Sequence, residues 1–289
     1  EIDWALEIRE AVEASENLQA VSDMDIAQMA LASLARGDEI DATLDNLYKM
    51  QCFREQYRIH DNLQEGMELI RAFLDLLPGA VLSIDYSAIF GNFIWTFDYA
   101  AFYPAKVDLP REWRVFMGGT YYMLHCMCPN FHAMRGGLVQ ICECEGIGAQ
   151  NIDIHMGEKW LHEILNFYPF IFKESMWLNT PMAMNVAYAC LKPMFTPQAK
   201  ANLRIGCKLD GFDGRIDALF KSPTPEIAKM HLLERIEGYL TERFRNQSTF
   251  TLPDPPEDIL SATEGDDNDD DEDAEGAEDE IEEAMDTDP

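Results

Sequence analysis

The stretch Pro169–Gly206, PFIFKESMWLNTPMAMNVAYACLKPMFTPQAKANLRIG, decides the fold. It reads as a short strand, a turn at Asn179–Pro181, and then a helix that is almost uncharged. That helix carries Met182, Met184, Val186, Ala187, Tyr188, Cys190, Leu191, Met194 and Phe195, and the Lys192–Pro193 step breaks it. A second strand follows near Leu203–Cys207. Before Lys192 the only polar groups are Asn185 and the Tyr188 hydroxyl. A surface helix normally keeps a polar face. This one must be covered on both sides, or must cover something that is not protein.

Upstream, the same alternation repeats. Asn92–Asp98 (NFIWTFD) is aromatic and β-branched and reads as a strand. Arg111 to about Met127 reads as a helix entered at Pro110, with Trp113, Phe116, Met117, Tyr121 and Leu124 as its apolar positions. Gly137–Glu145 reads as a strand closed by Gly146-Ile-Gly148, and His155–Phe167 as a helix. Strands alternating with helices predict an α/β fold with a mostly parallel sheet. Before it, Ile2 to about Arg58 has helical periodicity in three segments. Ser22–Asp23 offers an N-cap and Gly37 a C-terminal stop. A fourth helix, expected to be capped by Asp61, runs to Pro78–Gly79. After the deciding stretch we expect a turn flanked by Gly211 and Gly214, a short helix Arg215–Phe220, an interruption at Ser222–Pro225 and a last helix Glu226–Arg245. The expected division is 1–77 for the helical module, 78–245 for the α/β domain and 246–289 for a disordered acidic tail.

Charge supports that last boundary. The net charge is −31 over 289 residues. The 19 Asp and Glu from Asp254 to Pro289, with no Lys or Arg, leave the rest at −12. Asp266–Asp273 is nearly all carboxylate, and self-repulsion there outweighs any apolar gain. Nucleic-acid binding needs a basic footprint, which is missing. Seven cysteines in a chain of this size read as reduced thiols in a cytoplasmic setting. Nothing at the start has the order of a secretory leader. A start at Glu1 rather than Met is expected of a processed or trimmed chain. The apolar run Val115–Phe131 holds His125, Pro129 and two adjacent glycines, so it reads as no membrane span.

Several motifs invite chemistry and decline it. Gly146-Ile-Gly148 with Asn151 follows a strand but lacks the third glycine of a dinucleotide turn. His125, Cys126, Cys128 and His132 have zinc-ligand chemistry without zinc-finger spacing. Cys128 and Arg135 are one residue too far apart for a phosphate cradle of the Cys-x5-Arg kind. Glu143 and Glu145 are expected on one strand face, as an acid/base pair or, more simply, as a strand end holding loop amides. The overall expectation is no enzyme.

The order of these pieces resembles the CRAL-TRIO lipid-binding family, which includes the tocopherol-transfer and retinaldehyde-binding proteins. The family's Phe-Pro, Ile-Asn-x-Pro and Lys-Pro-Phe-Leu steps correspond to Tyr168-Pro169, Leu178-Asn179-Thr180-Pro181 and Lys192-Pro193-Met194-Phe195. Its Asp-x-Glu-Gly strand end corresponds to Glu143-Cys144-Glu145-Gly146. Asp23–Arg58 resembles the family's N-terminal helical module, and the resemblance runs to about Cys207. It implies a deep apolar pocket with the uncharged helix as its gate, one small lipophilic ligand and no cofactor. It also implies that the protein, a monomer, passes that ligand between membranes through transient surface contact. The implied ligand-binding residues are Phe116, Tyr121, Leu138, Cys142, Trp160, Ile164, Phe170, Trp177, Met184, Ala187, Leu191 and Phe195, with the Tyr121 or Tyr122 hydroxyl orienting a head group. Two departures stand out. Phosphoinositide-reading members carry basic residues around the gate, where this chain has Ile171, Gln198 and Asn202. The Leu-Pro-x-x-x-Gly-Gly segment beyond the gate is replaced by Ser222–Pro225. A protein-interaction module of the same fold, with the acidic tail meeting a basic partner, is the rival expectation.

Overall fold

The structure is a computed structural model that describes residues 1–18, 21–87, 91–104, 107–165, 167–195, 197–207 and 225–254. Expectations for Gly211–Phe220, for Ser222–Thr224 and for the acidic run lie outside the described residues.

Helices α1 (Ile2–Glu13), α2 (Asp23–Arg36) and α3 (Ile40–Tyr57) open the chain. Ser22 Oγ accepts the Asp25 amide as the N-cap of α2, and Gly37 closes α2 at φ 73°, a conformation that costs glycine little. Helix α4 (Leu63–Leu76) is capped by Asn62, whose side chain accepts the Glu65 amide, and not by the expected Asp61. Asp61 is committed elsewhere, to a buried network described below. Strands β1 (Val81–Ser87) and β2 (Asn92–Asp98) form an antiparallel pair. Helix α5 (Leu109–Cys126) carries Pro110 in its first turn, and the short α6 (Phe131–Gly136) follows. Then come β3 (Leu138–Glu143), α7 (Ile154–Trp160) with a π-helical turn at Leu161–Leu165, β4 (Phe172–Leu178), α8 (Met182–Leu191), α9 (Pro197–Asn202), β5 (Leu203–Cys207) and α10 (Pro225–Thr249).

The last helix outruns its expected end at Arg245. No glycine or proline stops it there, and Asn246 holds Pro129 O at 2.8 Å while its own carbonyl accepts the Phe250 amide. Residues Glu1–Leu252 form one compact unit, so the opening helices and the sheet share a core. Pro253–Pro289 is a second unit.

The five strands lie in the order β1-β2-β3-β4-β5, parallel from β2 onward. Each strand therefore sits beside its predecessor. Helices α5, α7 and α8 lie against one face of the sheet, as right-handed crossovers stepping in one direction require. Strand alternation divides the side chains accordingly. Trp95, Phe97, Leu138, Gln140, Ser175 and Trp177 face the helices, while Ile141, Met176 and Leu178 form a separate buried cluster on the reverse side with Ile94 and Val139. Helices α4 and α5 approach closely because Gly119 is bare. A Cβ there would sit 2.4 Å from Phe73 Cβ.

Candidate functional site

Between the sheet and the helices lies a cavity of ≈ 180 Å³. At ~10–15 Å³ per water-sized group it has room for roughly 12–18 of them. Trp95 and Phe97 of β2, Leu138 and Gln140 of β3, and Ser175 and Trp177 of β4 make the floor. Phe116, Thr120 and Leu124 of α5 make one wall, and Met156 and Trp160 of α7 another. Helix α8 closes the top with Met184, Ala187 and Leu191, and Phe195 follows them. Leu191 comes down against Gly157, where a Cβ would stand 3.1 Å from its Cδ1.

This placement answers the question posed by the uncharged helix. Met184 and Ala187 are buried on the cavity side. On the other side Met182 is 82% exposed and Val186 56% exposed, next to exposed Cys190. One apolar face covers the cavity and the other meets solvent.

Nine of the twelve expected residues line this cavity: Phe116, Leu138, Trp160, Phe170, Trp177, Met184, Ala187, Leu191 and Phe195. Three do not, each for a physical reason. Ile164 was expected at the pocket from the family resemblance. The π-helical turn spreads the spacing to i+5, so Leu161 and Leu165 reach the cavity and Ile164 does not. Cys142 has the right strand parity, but its neighbours Phe97 and Trp177 both pack against the ring of Tyr99, which stands over it.

Tyr121 is drawn into a buried polar network. Arg54 grips Asp25 with two hydrogen bonds of 2.9 Å and donates from Nε to the Tyr121 hydroxyl at 2.6 Å. Tyr121 donates to Asp61 at 3.2 Å, and Gln247 donates to the same carboxylate at 3.0 Å. His125 Nε2 lies 3.0 Å from Asp61, poorly aligned for a hydrogen bond, while its Nδ1 meets the Tyr168 hydroxyl. Arg243, fully buried, stands 3.8 Å from Asp25. Two carboxylates thus face two guanidiniums, and the balance closes with His125 neutral. Tyr122 is also occupied, donating to Glu65 at 3.3 Å. Neither tyrosine is among the residues lining the cavity.

The electrostatics follow. Burial pushes His125 below its ordinary 6.5, against the pull of Asp61. Burial alone would raise Asp25 and Asp61, but Arg54 for the first, and His125 and Arg54 for the second, hold both below the ordinary 3.8. In all three cases the unfolded chain binds the proton more readily, so stability rises with pH. Stability is expected to be intact above about pH 7. It should fall through the His125 window below 6.5, by at most about 1.4 kcal/mol per pH unit for that one group, and again below 3.8. Urea unfolding across this range checks it. His125→Gln should flatten the first limb and leave the second.

The other motifs have structural work. Glu143 accepts the amides of Cys144 and Glu145 at 2.9 Å and the Asn179 side chain at 3.1 Å. It caps a strand end, and β3 stops before Glu145, so the two carboxylates share no strand face. Asn151 closes the glycine turn on itself, accepting the Gly148 amide at 3.0 Å and donating to Phe102 O at 2.7 Å. Burial pushes the Cys128 thiol up to about 12, the wrong direction for a nucleophile, and Arg135 is paired with Glu1. Among the described residues no group of three His, Cys, Asp or Glu side chains is arranged to hold a metal. Among them also no helix is long and apolar enough to cross a membrane.

Sequence reasoning overlooked Trp95, Phe97, Gln140 and Ser175. Their signal was available as parity, since Trp95 and Phe97 alternate on one strand, Gln140 is two from Leu138, and Ser175 is two from Trp177.

Comparison with known proteins bears on this architecture. No curated protein matches the chain. The crystal structure of Sfh5 is similar over 62% of this chain and 65% of that one, at 12% identity and a TM-score of 0.47. The family description that matches is the CRAL/TRIO domain, over residues 83–212, which takes in most of β1, all of β2 to β5, α5 and α8. Those residues, just under half of the chain, are similar to the CRAL/TRIO domain, whose family is one of lipid-binding and lipid-transfer domains.

Proposed function

We propose that the protein holds one small lipophilic ligand in the cavity beneath α8 and carries it between membranes as a cytoplasmic, non-catalytic monomer. The observation that carries this reading is the two-faced helix, apolar toward the cavity and apolar toward solvent. A ligand burying ~500 Å² of apolar area gains roughly 12 kcal/mol gross at ~25 cal/mol per Å², before association costs. That gain requires a closed lid, and delivery requires an open one. Helix α8 serves both ends, because the face that covers the ligand becomes available to a bilayer when the lid swings out.

Cations near the lid are few and partly engaged. Arg204 is paired with Glu174 at 2.6 Å, and Lys192 stands 5.9 Å from the Tyr188 ring centre. The surface fits neutral bilayers better than a phosphoinositide-reading role. The acidic tail opposes anionic surfaces, where like charges repel within about 8 Å at physiological salt.

Organic extraction of the purified protein followed by mass spectrometry tests the carrier directly. A stoichiometric lipid supports it. An empty protein that takes up no fluorescent lipid supports the interaction module instead. The lid face has its own test. Burying one large apolar side chain is worth about 1.5–3 kcal/mol, so Met182→Asp with Val186→Asp is expected to lower partition onto neutral vesicles by at least about tenfold. Vesicle flotation measures it, and an unchanged partition removes α8 as the docking element.

A further inference from the structure

The floor of the cavity holds a directed donor. Gln140 is 8% exposed, Ser175 2% and Trp177 6%, and all three line the cavity. Trp177 Nε1 lies 3.1 Å from Ser175 Oγ, and Ser175 Oγ lies 2.9 Å from the Gln140 amide. An indole N–H only donates. Ser175 accepts from Trp177 and donates its own proton to Gln140 Oε1. With the amide oxygen facing Ser175, the amide nitrogen is turned away from it. Both protons of Gln140 Nε2 remain, and among the described residues no group accepts them. Directly across the ladder from Gln140 sits Trp95, whose Nε1 also has no acceptor.

An amide donor on a cavity wall gains from any acceptor brought to it, and the lining around it is mostly apolar, with Thr120, Asn151, Asp153 and Arg36 as further polar side chains. The cation among the lining residues, Arg36, is already bonded to Asp38 at 2.6 Å, so an ionised carboxylate brought into the cavity would lack a counter-charge. We infer that the ligand carries a neutral acceptor oxygen, a carbonyl or hydroxyl, which accepts from Gln140 Nε2 on the cavity floor. The inference rests on the carrier reading and narrows it, from any lipophile to a neutral oxygenated one. It separates this ligand class from plain hydrocarbons on one side and from fatty acid anions on the other.

Displacement of phenylnaphthylamine from the full-length protein by diheptyl ketone, pentadecane and pentadecanoate tests it. These chains suit the room available. The quantity read is the ratio of ketone to pentadecane affinity, which cancels the shared hydrophobic contribution. In Gln140→Met that ratio is expected to fall about tenfold, and in Ser175→Ala, which unpins the amide, by a smaller factor. A ratio within twofold of wild type in both variants overturns the inference and leaves the carrier standing. Tighter binding of pentadecanoate than of the ketone overturns it as well. If none of the three displaces the probe from the wild-type protein, the carrier reading fails, and this inference falls with it. Should Gln140→Met not fold, Ser175→Ala reads the same ratio.

Discussion

Replacing Arg54 with methionine is expected to cost about 3–5 kcal/mol of folding stability, the usual result of stripping a buried charge of its partner. For a domain of this size that is roughly 6–20 °C in Tm. Asp25 has a side chain only 2% exposed and depends on Arg54 for both its strong hydrogen bonds. The loss should spread, because Arg54 also supports Tyr121 and lies 3.4 Å from Asp61. Removing both charges together, in Asp25→Leu with Arg54→Met, should recover only part of the loss, since the apolar pair frees Asp25 of its orphaned charge but leaves buried Arg243 without its carboxylate. Thermal and urea denaturation of the single and double variants decide it. A single variant that loses less than 1 kcal/mol would mean that Asp25 is not held as an anion. Ligand uptake should survive in the double variant, because Asp25, Arg54, Asp61 and His125 all lie off the cavity wall.

Ala187→Trp should behave in the opposite way, abolishing uptake while sparing the fold. Ala187 is 4% exposed, and its methyl group points from α8 into the cavity. Adding bulk to a packed core usually costs 1–3 kcal/mol. Here the new ring enters existing space, so unfolding should shift by less than that, or move upward as the ring fills the void. Uptake of a fluorescent lipid is expected to fall by at least about a hundredfold, because the site itself is consumed. Full uptake in a folded Ala187→Trp protein would place the ligand somewhere other than this cavity. Reduced uptake with an equally large loss of stability would show that the residue matters for packing alone.

How much of this was readable in the sequence depends on the range over which the signal acts. The helix at Met182–Leu191, the strand NFIWTFD and the Ser22 cap are set by neighbours within one or two turns, and they stand where their patterns put them. The cavity wall was legible through the family resemblance wherever the helix is regular, as it is at Met184, Ala187 and Leu191. It failed at Ile164 because a π-helical turn adds a residue to the turn with no composition of its own to announce it. Asp61 was misread as a cap because its real partners come from distant segments, α3, α5 and α10. Strand β1 was not anticipated, since VLSIDYS alternates only weakly. The pairing of Trp177, Ser175 and Gln140 needs the β3–β4 register, which no local pattern encodes.

The cavity has a consequence for how long a molecule of this protein lasts. Unfilled interior space costs stability at about 24 cal/mol per Å³, so ≈ 180 Å³ left empty amounts to roughly 4 kcal/mol that an occupant restores in part. Where opening is fast, proteases sample the opened fraction of a population, and a bound ligand shrinks that fraction by mass action. Limited proteolysis should therefore digest the delipidated protein faster than the loaded one, by at least about tenfold. On the proposed carrier reading, lifetime then becomes a record of cargo, and idle molecules are culled first.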